Sequence, residues 1–75
     1  MTIKILGSGC AKCRQLEENT KKAVEAAGID AVVEKVTDMD KIMDYGVMMT
    51  PAIVIDEEVK AAGRLLTVDE IRKLL

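Results

Sequence analysis

Hydrophobic and polar positions along the chain alternate between two periods, one typical of strands and one typical of helices. Apolar residues dominate residues 1–6 and predict a short buried strand that ends at the Gly7-Ser8-Gly9 turn. From residue 11 to residue 27 the less polar positions recur every three or four residues, which predicts an amphipathic helix that ends at Gly28. These positions are Cys13, Leu16, Thr20, Ala23, Val24 and Ala27.

The middle of the chain repeats this order with shorter elements. The β-branched segment 29–36 predicts a second strand. Thr37-Asp38 then offers the start of a short helix that ends at Gly46. The spacing predicts that Met39, Ile42 and Met43 form the inner face of this helix.

The last third of the chain predicts a hairpin followed by a helix. The apolar run 52–55 indicates a central strand, and Pro51 is expected at its start because proline cannot donate to a ladder. Residues 56–58 separate this run from a second arm over residues 59–62. Thr67 and Glu70 have the spacing of a capping box, which predicts the terminal helix.

The resulting order is βαβαββα, which predicts an α/β fold with a mixed four-stranded sheet and three helices. The chain has 75 residues and shows no repeat or linker, so we expect one small domain over residues 1–75. The core must be aliphatic, because Tyr45 is the one aromatic residue.

Composition and charge disfavour several partners. The net charge is −2, and no basic stripe is present that would bind phosphates or anionic lipids. Aromatic platforms for base stacking are missing as well, so neither nucleic acid nor a membrane surface is an expected partner. The balanced surface favours a monomer. No long apolar segment or signal-peptide layout occurs, so we expect a cytoplasmic protein.

The chemistry of the chain is concentrated in two cysteines. The sequence contains no histidine, whereas Cys10 and Cys13 form a C-x-x-C pair between the first strand and the first helix. A helix N-terminus stabilises a thiolate at Cys10, and Cys13 lies one turn further along. The positive charges of Lys12 and Arg14 are expected to lower the pKa of Cys10 further. This asymmetry favours dithiol exchange.

An alternative function for the same residues is the binding of a soft metal. Two thiolates before a helix can hold Cu(I) or Zn²⁺, and Met48 and Met49 could add thioether sulfur. Two sulfurs alone leave a zinc site incomplete, and methionine more often fills gaps in an aliphatic core. We therefore expect no metal site, and we expect packing roles for Met39, Met43, Met48 and Met49.

The C-x-x-C pair after the first strand and the Met49-Thr50-Pro51 segment before an apolar strand together resemble the thioredoxin and glutaredoxin superfamily. The resemblance spans essentially the whole chain. It is closest to small prokaryotic thioredoxin-like proteins of glutaredoxin size, the redox-active disulfide proteins. It implies a thioredoxin-like fold and an enzyme that exchanges thiols and disulfides.

The resemblance also implies a role for each matching residue. Cys10 matches the attacking cysteine, Cys13 the resolving cysteine, and Pro51 the cis-proline that faces the dithiol. Backbone groups of Thr50 are then expected to pair with an extended segment of the substrate. Disulfide-containing proteins are the implied substrates. No flavin or nicotinamide motif occurs, so no cofactor is expected, and the electrons must come from a separate reductase or a small thiol.

The chain differs at several positions from the families that it resembles, and these differences bear on its function. Gly9 replaces the tryptophan that precedes the dithiol in thioredoxins, and the residues between the cysteines are Ala11 and Lys12.

Heavy-metal-associated chaperone modules have a similar length and cysteine position, but they carry methionine where this chain has Ser8. They also end on a strand, whereas a helix starting near Thr67 is predicted here.

Overall fold

In the computed structural model, which describes all 75 residues, the chain forms four strands and three helices. The elements alternate in the predicted βαβαββα order. Their bounds are β1 Thr2–Leu6, α1 Ala11–Ala27, β2 Val32–Val36, α2 Met39–Asp44, β3 Ala52–Ile55, β4 Glu58–Ala62 and α3 Val68–Arg72.

The strands form one mixed sheet in the order β2-β1-β3-β4. β1 pairs parallel with β2, whereas β3 pairs antiparallel with both β1 and β4. The wholly apolar β3 is buried along its length because it lies between two strands and has helices on both sides. The fold class predicted from the sequence is therefore confirmed.

Two clusters of buried side chains hold the helices on opposite faces of the sheet. The larger cluster joins β1 and β3 to α1 and α3, with Leu16 and Ile71 fully buried at its centre. The smaller cluster lies under α2, where Ile42 packs beside Val54. Side chains that alternate along β1 serve the two clusters in turn, since Ile3 and Ile5 belong to the first and Leu6 to the second.

The caps of α1 and α3 match the sequence pattern. Gly28 closes α1 in the left-handed region with φ 66°. Thr67 and Glu70 form a full capping box at the start of α3. A helix, α3, follows the β3–β4 hairpin as predicted, and the order of elements is that of a thioredoxin-like fold.

Three local predictions were wrong. β2 begins at Val32 and not at residue 29. Met39 and Met43 are 57% and 66% exposed, because the six-residue α2 has room for only one buried position, Ile42. Met48, 97% exposed, has no packing role, whereas Met49, 65% exposed, packs in the loop against Gly63.

Candidate active site

The two cysteines lie where β1 ends and α1 begins. Cys10 is the N-cap residue of α1 with extended backbone angles, φ −68° and ψ 166°. This position leaves its side chain exposed, whereas Cys13, one turn into the helix, is 5% exposed. Both cysteines are free thiols. One sulfur is therefore open to a reactant and the other is covered by protein.

The helix start stabilises negative charge on Cys10. Its Sγ accepts a hydrogen bond from the backbone N–H of Cys13 over 3.2 Å. The pKa of Cys10 lies below the ordinary value, first because the thiol of Cys13 donates to its sulfur and then because the backbone N–H groups of Cys13 and Lys12 point at it. The backbone N–H of Lys12 contributes to this shift, and the contribution expected from its charge stays a prediction. Its side chain is exposed to water.

The environment of Cys13 has the opposite effect. Burial raises the pKa of the Cys13 thiol, and the hydrogen bond that it donates to Cys10 raises it further. The two shifts have opposite signs, so Cys10 loses its proton more readily than Cys13. Dithiol exchange requires such a difference between the sulfur that attacks the substrate and the sulfur that later resolves the mixed disulfide.

Gly7 provides the room that Cys13 occupies, a role that the sequence reasoning missed. A Cβ on Gly7 would overlap Sγ of Cys13 and lie 3.1 Å from its Cβ. Gly9, in the same turn, has a positive φ of 85°, which favours glycine. Gly7 has a different function, because its buried Cα is the surface against which the second sulfur packs.

The segment before β3 also lies next to Gly7. The same Cβ position on Gly7 lies 3.8 Å from Cβ of Thr50, so Thr50 and Cys13 are both neighbours of this glycine. The Thr50–Pro51 peptide bond is cis, Pro51 is buried, and its carbonyl accepts from the N–H of Gly63 over 2.9 Å. Thr50 itself is exposed, and neither its N–H nor its C=O has a partner within the chain.

The open space near the cysteines is small. A pocket of about 40 Å³ lies beside Cys13, and its walls are Ile5, Gly7, Gly9, Arg14, Lys35 and Thr37. The largest groove, about 530 Å³, lies elsewhere, over Lys4, Tyr45 and Glu57, and contains neither cysteine. A disulfide that reacts with Cys10 must therefore approach across the surface and not enter a cavity.

Lys35 is the other residue of this site that the sequence reasoning missed. It pairs with Ile5 in the parallel register, and Ile5 faces α1 within the larger cluster. The alternating pattern of a strand expects an apolar residue at this position. A lysine there is an exception, and this exception could have identified Lys35 from the sequence.

No helix of the structure is long and apolar enough to cross a membrane. No three His, Cys, Asp or Glu side chains come together in a group that could hold a metal ion.

Comparison with known proteins agrees with this geometry. The chain matches the thioredoxin domain family over residues 1–75. It is 44% identical over 75 residues to a thioredoxin of Methanothermobacter thermautotrophicus, covering all of this chain and 97% of that protein. It is also 44% identical over 75 residues to a thioredoxin of Methanocaldococcus jannaschii, covering 86% of that protein. The chain therefore belongs to the thioredoxin family and is a thiol-disulfide oxidoreductase.

Proposed function

We propose that Cys10 is the attacking cysteine and Cys13 the resolving cysteine of this oxidoreductase. The observation that carries the proposal is the exposed Cys10 sulfur at the N-cap, 3.2 Å from the backbone N–H of the buried Cys13. Exposure gives Cys10 access to a substrate, and the lowered pKa favours the thiolate form that attacks. Cys13 is covered, so an external disulfide cannot reach it first.

The reaction then proceeds in two exchanges. The Cys10 thiolate attacks one sulfur of a substrate disulfide, and the other substrate sulfur leaves as a thiolate. Cys13 next loses its proton and attacks Sγ of Cys10, which breaks the mixed disulfide and releases the second substrate sulfur. The substrate gains two electrons and two protons, and Cys10 and Cys13 become a disulfide.

The substrate segment binds along Thr50, in this proposal. The unpaired N–H and C=O of Thr50 supply the two backbone hydrogen bonds that an extended peptide can make beside the dithiol. Buried Pro51 fixes this position. The preceding residues Met48 and Met49 are exposed, and flexible thioether side chains suit contact with varied apolar sequences. Broad selectivity among disulfide-containing proteins follows.

A reductase or a small thiol restores the dithiol after each turnover. The family has disulfide substrates and a reductase partner in general. For this chain we propose protein disulfides as substrates and a monomer as the working form, which leaves the surface around Cys10 open. We propose the cytoplasm as its location, because the reducing conditions there would regenerate the dithiol.

Two single variants test the proposed roles. With reduced protein and a peptide that contains one disulfide, Cys10→Ser is expected to abolish reduction and to trap no adduct. Cys13→Ser is expected to accumulate a mixed disulfide at Cys10, identified by peptide mass spectrometry. An unchanged rate in Cys10→Ser, or an adduct on Cys13 in place of Cys10, would overturn the assignment.

A further inference from the structure

The surface around the exposed Cys10 sulfur differs in charge from the rest of the chain. Two segments meet at the dithiol, residues 7–16 and residues 46–55. Together they contain two cations, Lys12 and Arg14, and no acidic residue. The whole chain, by contrast, has a net charge of −2. Positive charge is therefore concentrated at the reactive end of an acidic protein.

Neither of these cations has a partner within the chain. Six ion pairs join other Lys and Arg side chains to carboxylates, and neither Lys12 nor Arg14 takes part in one. Both side chains are exposed to water. Glu17, the next acidic residue along α1, is paired with Lys35. The charges of Lys12 and Arg14 can therefore act on a molecule outside the chain.

The stability of α1 does not account for a cation at its start. An acidic residue in the first turn of a helix is favourable and a cation there is unfavourable, because the N-terminal end of the helix dipole is positive. The other two helices follow this rule, with Asp40 in the first turn of α2 and Asp69 and Glu70 in that of α3. The first turn of α1 contains Lys12 and no acidic residue. A departure from a local rule beside a reactive sulfur indicates a role in function.

The two cations lie on different sides of the dithiol. Lys12 and Arg14 are each one residue from Cys13, which corresponds to about 100° of rotation around an α-helix. They therefore lie on opposite sides of the buried stripe that contains Cys13, and Arg14 borders the small pocket beside that cysteine. A helix with its side chains is roughly 10–12 Å across. An extended segment of about four residues spans this width, and in the proposed function such a segment lies along Thr50.

We infer that Lys12 and Arg14 select protein disulfides in which acidic residues flank the cysteine that Cys10 attacks. This inference rests on the proposed roles of Cys10 and Thr50, and it names the class of substrate that they receive. Backbone pairing at Thr50 accepts any sequence, so the preference must come from side chains. Attraction between opposite charges mainly raises the rate of association. The two exchange steps themselves stay the same.

The size of the preference follows from Coulomb's law in water. A carboxylate about 7 Å from a cation gains a factor of roughly 1.7 in affinity at about 0.1 M salt, and a basic residue at the same place loses a similar factor. The ratio of the reaction rates of an acidic and a basic peptide therefore changes about threefold for each cation removed. High salt screens the charges and should bring this ratio close to one.

The experiment compares two peptides that differ only in charge. Each peptide carries one cysteine in a disulfide with a coloured aromatic thiol, and the cysteine is flanked by glutamates in one peptide and by lysines in the other. Release of the coloured thiol by reduced protein gives the second-order rate constant for each peptide. We expect the wild type to prefer the acidic peptide, and Lys12→Gln and Arg14→Gln each to lower the ratio of the two rate constants about threefold. The ratio within one variant cancels any change in the reactivity of Cys10 itself.

Lys21→Gln is the matched control for the loss of one positive charge. Lys21 is an exposed cation of α1 and, like Lys12, forms no ion pair. It lies roughly 16 Å along the helix axis from Cys10, which is beyond the screening length of about 10 Å at 0.1 M salt. Its substitution should leave the ratio unchanged.

A wild-type ratio near one, a ratio unchanged in either variant, or an equal fall in Lys21→Gln would overturn the inference. A preference that persists at high salt would also overturn it, because contacts other than charge would then select the peptide. A failure of the proposed function has a different signature. Neither peptide would release thiol, or release would persist in Cys10→Ser. Normal rates for both peptides without a preference would remove only the selection by Lys12 and Arg14.

Discussion

The backbone N–H of Cys13 donates to Sγ of Cys10 over 3.2 Å, so the second cysteine stabilises charge on the first. The thiol of Cys13 donates to the same sulfur and is the largest cause of the lowered pKa of Cys10. The donated proton is in turn held more tightly, which contributes to the raised pKa of Cys13. Contacts between the two cysteines therefore lower the pKa of Cys10 and, after burial, contribute to raising the pKa of Cys13.

Cys13→Ala should raise the pKa of Cys10 toward the ordinary value without restoring it. The substitution removes the thiol donor but keeps the backbone N–H of residue 13 and that of Lys12, which also lower this pKa. Alkylation rate against pH, followed on the Cys10 peptide by mass spectrometry, measures the change. An unchanged pKa would show that the Cys13 thiol does not contribute.

Lys12→Gln should leave the pKa of Cys10 almost unchanged in the same assay. The group of Lys12 that lowers this pKa is its backbone N–H, which the substitution preserves, and its side chain is exposed. Charges in water are strongly screened. If Lys12→Gln shifts the pKa of Cys10 as much as Cys13→Ala does, the charge of Lys12 contributes as the sequence pattern predicted.

Gly7→Ala should destabilise the reduced protein by about 1–3 kcal/mol, the usual cost of forcing extra volume into a packed site. The added Cβ overlaps Sγ of Cys13, and buried Gly7 lies at the end of a core strand. Urea unfolding with fixed slope measures the loss. The Cys10 alkylation pKa should also move, since Cys13 must shift to make room.

A double-mutant cycle identifies the cause of that loss. Cys13→Ala removes the overlapping sulfur and leaves only the 3.1 Å approach between the two Cβ atoms. Gly7→Ala should therefore cost less in the Cys13→Ala background than in the wild type, and the difference is the coupling energy. Equal costs in both backgrounds would mean that the backbone of Gly7, and not the space beside it, is the constraint.

Much of the fold could be predicted because its determinants are local. The spacing of apolar residues in α1 and the capping box at Thr67 act within one or two helical turns. The hairpin turn could not be predicted in the same way. Asp56 and Glu57 adopt left-handed φ values of 49° and 68° without glycine or asparagine. Their side chains bond to β1, distant in sequence, which stabilises the turn.

The residues of the candidate site likewise fall into those that the sequence predicts and those that it does not. Cys10, Cys13 and Pro51 are visible in the sequence because their chemistry and spacing are distinctive. Gly7 and Lys35 depend on which atoms meet after β1 and β2 have paired, and a single sequence does not specify these contacts directly. The prediction for Met39 and Met43 failed because the six-residue α2 has room for only one buried position, Ile42, and Met48 lies exposed in the loop before β3.

Gly63→Ala should destabilise the protein more than Gly28→Ala. Both glycines have left-handed φ, 71° and 66°, so each alanine has a similar backbone cost of about 1 kcal/mol. A Cβ on Gly63 would in addition lie 2.9 Å from Cβ of Met49, whereas one on Gly28 would meet nothing within 4 Å. The difference between the two unfolding free energies isolates the contact with Met49.

The same pair of variants tests whether Gly63 supports the substrate segment. Gly63 donates its N–H to the carbonyl of Pro51 and lies against Met49, so displacement there should shift Thr50. Gly63→Ala should raise the KM for a disulfide peptide, whereas Gly28→Ala, at the far end of α1, should not. Equal KM values in the two folded variants would contradict this role.

Lys4, Tyr45 and Glu57 form a closed triangle on the face of the sheet away from α1. Nζ of Lys4 donates to Tyr45 Oη over 2.8 Å and to Glu57 Oε1 over 2.6 Å, and Tyr45 Oη donates to Glu57 Oε2 over 3.0 Å. The hydrogen bond to Glu57 raises the pKa of Lys4, followed by the bond to Tyr45. The same partners lower the pKa of Glu57. This triangle connects the central strand β1 to the hairpin turn and to the end of α2.

Glu57→Gln should therefore change how stability depends on pH. Because the pKa of Glu57 is lower in the folded state, its contribution is fully present above its unfolded pKa of about 4.3 and is lost as pH falls through the folded value. The free energy of unfolding of wild type should exceed that of Glu57→Gln at neutral pH, and the gap should close in acid. Urea unfolding of both proteins across this pH range measures the difference. Glu58→Gln is the control for charge in the hairpin, because Glu58 follows Glu57 directly and its ion pair is with Lys60. A gap that stays constant into acid, or an equal gap for Glu58→Gln, would show that the triangle does not stabilise the turn through the Glu57 carboxylate.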